Sequence, residues 1–104
     1  MAIVTVEAGV CGFSTTIRTS SEDMQTVNID YDTSCPHIEK AKETLKNVDA
    51  YRELFSKPHD TNVYRALSPH LPHVTCPVYS GFLKAIEAAA GMALPRDVTM
   101  RIEK

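Results

Sequence analysis

The spacing of apolar residues changes near Cys35-Pro36 and returns to its first period only at the end, from Val98. Before Cys35-Pro36 apolar side chains recur at every second residue, and from there to Ala90 at every third or fourth. A period of two puts alternate side chains on opposite faces of a strand. A period near 3.6 gathers them on one stripe of a helix. A chain that makes this switch builds a sheet first and then covers one face of it with helices.

Residues 2–8 place Val4, Val6 and Ala8 on one face and Thr5 and Glu7 on the other, which predicts a strand. Gly9 and Gly12 bracket a turn. Residues 13–19 alternate again, with Phe13, Thr15 and Ile17 facing one way. Ser20-Ser21-Glu22-Asp23 is a polar turn, and residues 26–32 align Val27, Ile29 and Tyr31. Short alternating runs joined by short turns pair as hairpins, so the sheet is antiparallel. Glu7 and Arg18 are placed to pair across the first hairpin, and Asp30 and Asp32 read as a solvated edge.

Ile38, Ala41, Leu45 and Val48 follow at steps of three and four. They predict an amphipathic helix that starts at Pro36, with Cys35 as its N-cap. A short helical segment around Tyr51, Leu54 and Phe55 stops near Pro58, and Asp60 caps another that holds Val63, Tyr64 and Leu67. Residues 68–72 contain two prolines and form a loop. Pro77 again suits a first helical position, with Cys76 as N-cap. Tyr79, Phe82, Leu83, Ile86, Ala89 and Ala90 then make a broad apolar face that Gly91 terminates. Gly81, inside this helix, implies close approach of the sheet or of a ligand. Val98, Met100 and Ile102 alternate as a last strand. The expected order is β-β-β-α-α-α-β. That is an α+β fold in two layers, a roughly four-stranded, mainly antiparallel sheet with helices packed on one face. A chain of 104 residues is expected to form a single domain, 1–104.

Eleven basic and 13 acidic residues leave a net charge of −2. This balance gives no electrostatic reason to expect nucleic acid or an anionic membrane as partner. No apolar run approaches the ~20 residues of a membrane span, and the first residues lack the basic region of a signal peptide. The expected compartment is the cytoplasm, where thiols stay reduced. A homodimer or a protein partner is compatible with this composition. Glycine-rich phosphate loops, a Ser-His-Asp order and a basic patch with interleaved aromatics are missing from the sequence.

The candidate chemistry lies in three cysteines, an odd number that cannot pair completely within one chain. Cys11 sits in the glycine-bracketed turn, and Cys35 and Cys76 each precede a proline. A cysteine at a helix N-cap points its sulfur at unpaired backbone N–H groups and at the positive end of the helix dipole, which favours thiolate. His37 and His73 each lie within three residues of one of these thiols. Sulfur and imidazole ligands together close a tetrahedral zinc site. Three thiolates also hold a four-iron cluster, with the remaining iron open or bound by histidine. The leading expectation is therefore a metal centre held by Cys11, Cys35 and Cys76, with His37 or His73 as a fourth ligand or supporting donor. The ligand types do not separate zinc from an iron–sulfur cluster. Two other readings stand beside it. One is a thiol enzyme of sulfur transfer or redox, with Cys35 or Cys76 as nucleophile and a neighbouring histidine as base. The other is an interaction subunit whose cysteines are plain core residues.

Three segments carry a resemblance: Gly9-Val10-Cys11-Gly12-Phe13, Asp32-Thr33-Ser34-Cys35-Pro36-His37-Ile38 and His73-Val74-Thr75-Cys76-Pro77. They resemble a small, functionally uncharacterised domain family of anaerobic bacteria and archaea, over nearly the whole chain. Thr33-Ser34-Cys35-Pro36 also resembles the start of the Thr-Ser-Cys-Pro-Asp motif of a domain found alone and at the end of some ribonucleotide reductases. Here His37 stands where that motif has aspartate. Neither resemblance implies an established activity. The anaerobic setting that the first implies favours an iron–sulfur cluster.

Overall fold

The structure, a computed structural model, describes all residues from Met1 to Lys104. Strands β1 (Ala2–Glu7), β2 (Ser14–Ser20) and β3 (Thr26–Thr33) form an antiparallel meander, and β4 (Asn47–Asp49) adds to the far side of β3. The strand order is β1-β2-β3-β4, antiparallel throughout. Helices α1 (Pro36–Glu39), α2 (Ala50–Leu54), α3 (Asn62–Leu67) and α4 (Val78–Ala89) complete the α+β fold. No helix is long and apolar enough to cross a membrane.

The alternation seen in the sequence decides which face the helices cover. Thr15, Ile17 and Thr19 of β2 and Val27, Ile29 and Tyr31 of β3 are buried, while Asn28, Asp30 and Asp32 face water. Two polar residues on the buried face are satisfied locally. The Thr15 and Thr33 hydroxyls bond each other at 2.8 Å, and Thr19 Oγ1 donates to the Ala85 carbonyl at 2.8 Å. Tyr31 packs edge-on against Phe82 with ring centroids 5.0 Å apart, and its hydroxyl donates to the Ile38 carbonyl at 2.9 Å. Burial pushes the Tyr31 phenol well above its ordinary range.

Gly81 lets α4 lie close to the sheet. A Cβ at this position would collide with the Val6 Cγ2 methyl and would reach the Ile17 side chain at 3.5 Å. The expected close approach is therefore to the sheet, at β1 and β2.

Several elements differ from the expectation. The fourth strand is Asn47–Asp49, and residues 98–102 form no strand. Val98, Met100 and Ile102 are exposed because nothing pairs with the segment that carries them. The first helix ends after one turn. The chain continues through turns closed by the Ala41 N–H to Ile38 carbonyl bond and the Leu45 N–H to Ala41 carbonyl bond. Ile38, Ala41, Leu45 and Val48 are all buried nonetheless, Val48 from β4. Thr61, not Asp60, caps α3 by accepting from the Tyr64 N–H at 3.2 Å. Arg18 does not pair with Glu7. It reaches across to β3, to Asp30 at 2.8 Å and Asp32 at 2.9 Å. Its cross-strand neighbour on β1 is Ile3, and Glu7 lies opposite Ser14. Asp30 is held below its ordinary range by the Arg18 guanidinium.

A candidate three-thiol site

The strand directions bring the three cysteines to one end of the sheet. Cys11 lies in the turn that leaves β1 at Glu7 and enters β2 at Ser14. Thr33, at the end of β3, lies beside Thr15, near the start of β2. The next residue keeps that register. The Ser34 N–H donates to the Ser14 carbonyl at 3.0 Å, and the Ser34 hydroxyl accepts from the Ser14 N–H at 3.0 Å. Cys35 follows directly, its N–H bonded to Thr33 Oγ1 at 3.1 Å. The turn of Cys11 and the exit of β3 therefore share one pole.

Helix α4 delivers the third thiol to the same pole. Its first turns lie over Val6 and Ile17, and its later part meets Thr19, whose cross-strand neighbour is Ala2. It therefore runs from the Glu7 end of β1 toward the Ala2 end. Cys76, just before it, lies at the Glu7 end with the other two. The electrostatics of Cys76 agree. Burial pushes its thiol up, the Val78 N–H pulls it down, and like-charge interaction with Cys11 and with Cys35 raises it further.

The three thiols differ in setting. Cys35 is 5% exposed and belongs to the core, Cys76 is half-buried, and Cys11 is exposed. All three are unpaired in the disulfide sense. Cys11 is carried by a turn that the Gly12 N–H closes on the Gly9 carbonyl at 2.9 Å. Gly9 and Gly12 both take positive φ, and neither has a neighbouring side chain against it.

The helix-terminus argument for thiolates does not carry over. Cys35 is the N-cap of α1, yet its side chain makes no capping bond, and a four-residue helix sums few peptide dipoles. Pro77, not Cys76, is the N-cap of α4. Desolvation outweighs the one N–H that reaches the Cys76 sulfur, so that thiol is raised rather than lowered.

His37 lies on α1 and is half-buried, and His73 is exposed in the loop before Cys76. No three Cys, His, Asp or Glu side chains stand in a group that could hold an ion as placed. The donors are of the right kind and share a pole, but the sulfurs have not closed on a common point. The Cys11 turn is exposed, with open space beside Gly9 and Gly12. Metal sites commonly complete their geometry on binding, when protons leave the ligands. Thiol and imidazole are donor types that sulfur-ligated centres use, and here they share a pole without surrounding one point.

Two tyrosines complete the surroundings. Tyr79 lies one helical turn after Cys76 and stacks on Tyr64 with centroids 4.2 Å apart and an interplanar angle of 17°. Its phenol is pushed up by burial first and then by Cys76 and Tyr64. The signal in the sequence is the three-residue step from Cys76 to Tyr79, which puts both on one side of a helical turn. Tyr64 could not be read this way, because its approach depends on how α3 packs against α4.

No curated protein and no solved structure matches the chain. Residues 2–102 match an uncharacterised family, and the chain belongs to that family, the family of unknown function DUF6951.

Proposed function

We propose that this protein holds a metal centre through Cys11, Cys35 and Cys76, either zinc or an iron–sulfur cluster. The observation that carries the reading is the arrival of three cysteines, far apart in sequence, at one pole of the sheet. A bare cluster of thiols is unfavourable to ionise, because each negative sulfur opposes the next. A bound cation reverses that balance and favours all three thiolates. His37 of α1 and His73 of the loop before Cys76 are the candidate fourth donors. When bound, zinc would brace the pole, and a cluster would add electron transfer or an open iron position.

The raised Cys76 thiol weighs against Cys76 as a nucleophile, a role that needs a thiolate near neutral pH. The burial of Cys35 within the core favours a structural share for that residue.

The test is anaerobic purification followed by metal, sulfide and absorption measurements. Iron with matching acid-labile sulfide and a brown colour identifies a cluster. Zinc in a colourless sample identifies a zinc site. A folded protein that contains neither, and takes up neither on reconstitution, overturns the proposal.

A further inference from the structure

One edge of the sheet has no partner. β1 ends the strand order, and its outward row of backbone N–H and C=O groups is unpaired. Soluble proteins blunt such an edge with lysine, proline, a bulge or a very short strand. Ala2-Ile3-Val4-Thr5-Val6-Glu7 has none of these, and its ladder to β2 is regular from end to end. The inner face of this edge is also under-covered. The inward residues of β2 and β3 are buried, whereas Ala2, Val4 and Val6 are only half-buried.

The same chain holds a strand-like segment without a place in the sheet. Residues 97–102 alternate Val98, Met100 and Ile102 with Thr99 and Arg101, and the three apolar side chains are 64%, 71% and 93% exposed. The segment makes no strand pairing. It is as long as β1, which has six residues. An unpaired edge and an unpaired apolar strand complement each other. Main-chain hydrogen bonds would supply affinity, and alternate side chains would set the register.

We propose that residues 97–102 add as a further strand to the β1 edge of a second copy of this chain, and that two copies exchange these segments reciprocally. Within one copy, α4 hands the chain over at the Ala2 end, so the segment would run parallel to β1. In a second copy it is free to pair antiparallel, which is the more stable ladder per residue. The exchange is isologous and therefore closes at two copies. Val98, Met100 and Ile102 extend the apolar face beside Val4 and Val6, which is only partly covered. A net charge of −2 per copy opposes this only weakly.

The experiment is light scattering of the full chain over a concentration series, in the presence of a chelator. The expected mass is twice the 11.5 kDa of one chain. The double variant Thr99→Pro/Met100→Pro removes adjacent backbone donors, so one of them lies in the ladder whichever way the segment faces. It is expected to weaken association at least tenfold while the far-ultraviolet circular dichroism of the folded domain persists. A second variant, Ile3→Lys on the exposed face of the edge strand, is expected to do the same. A wild-type protein that stays monomeric up to millimolar concentration overturns the proposal. So does a dimer that both variants leave intact, or one that falls apart on chelation alone.

Discussion

The contact between Gly81 and Val6 sets two effects of similar size against each other, and Gly81→Ala measures which one wins. Alanine inside a helix is favoured over glycine by about 1 kcal/mol, so an unobstructed site would gain that much. The new Cβ would meet the Val6 Cγ2 methyl at less than any normal contact distance. Val6 is β-branched and short, so its methyl cannot swing away as a lysine tip would. Either α4 lifts or β1 shifts, and overpacking of this kind costs about 1–3 kcal/mol. The expected net effect is a loss of about 0–2 kcal/mol. Val6→Ala removes the obstructing methyl. In that background Gly81→Ala is expected to stabilise by up to about 1 kcal/mol, the propensity gain alone. The double-mutant cycle thus carries a coupling of about 1–3 kcal/mol between two residues 75 positions apart in sequence. Urea unfolding followed by circular dichroism reads all four proteins, provided the slope with denaturant stays constant. A Gly81→Ala protein more stable than the wild type, with no coupling to Val6→Ala, would refute the packing of α4 on β1. The placement of Cys76 beside Cys11 would go with it.

Further predictions rest on other contacts. Glu53 is 2% exposed and accepts from the N–H groups of Asn62 at 2.6 Å and Val63 at 3.2 Å, tying α2 to the start of α3. Glu53→Ala leaves both donors without their acceptor, the Val63 N–H buried, and should cost about 1–3 kcal/mol in a denaturant titration, with Glu53→Gln costing less. Tyr31→Phe removes the hydroxyl that bonds the Ile38 carbonyl and should cost about 1 kcal/mol, read as a lowered unfolding midpoint. The Cys76 thiol titrates above its ordinary 9.0 in the folded protein, so the folded state keeps a proton that the unfolded chain has already lost. That contribution is complete below pH about 9 and disappears as pH rises through the folded value. Metal-free protein should therefore lose stability above pH about 9, and Cys76→Ser should flatten the fall.

The part of the fold legible in the sequence is the part set by local period. Alternation placed β1, β2 and β3 and named the inward face of each, buried in β2 and β3 and half-buried in β1. The stripe of Ile38, Ala41, Leu45 and Val48 marked buried residues correctly. It did not mark a long helix, because one helical turn followed by tight turns and a short strand buries the same spacing. Residues 98–102 carry strand propensity, but propensity does not name a partner, and within one copy none is taken. Arg18 chose Asp30 and Asp32 because β3 lies on its other flank, a fact of strand order that the first hairpin does not contain. Glu53 was invisible for a similar reason. Only the docking of α3 shows that a carboxylate is needed there. The three cysteines were legible as a candidate set because all lie at element ends. Their shared pole follows from strand direction and from the course of α4. The protonation of Cys76 was misread, because local geometry suggested a dipole and burial decided the outcome.

The most direct measurement of the central claim is metal bound per chain in anaerobically purified protein, compared with Cys11→Ser, Cys35→Ser and Cys76→Ser. The account predicts a stoichiometric metal in the wild type and a severe loss in each variant, including Cys11→Ser, whose exposed position makes a folding defect the least credible cause. Full metal occupancy in Cys11→Ser, or no metal in a folded wild type, would contradict it.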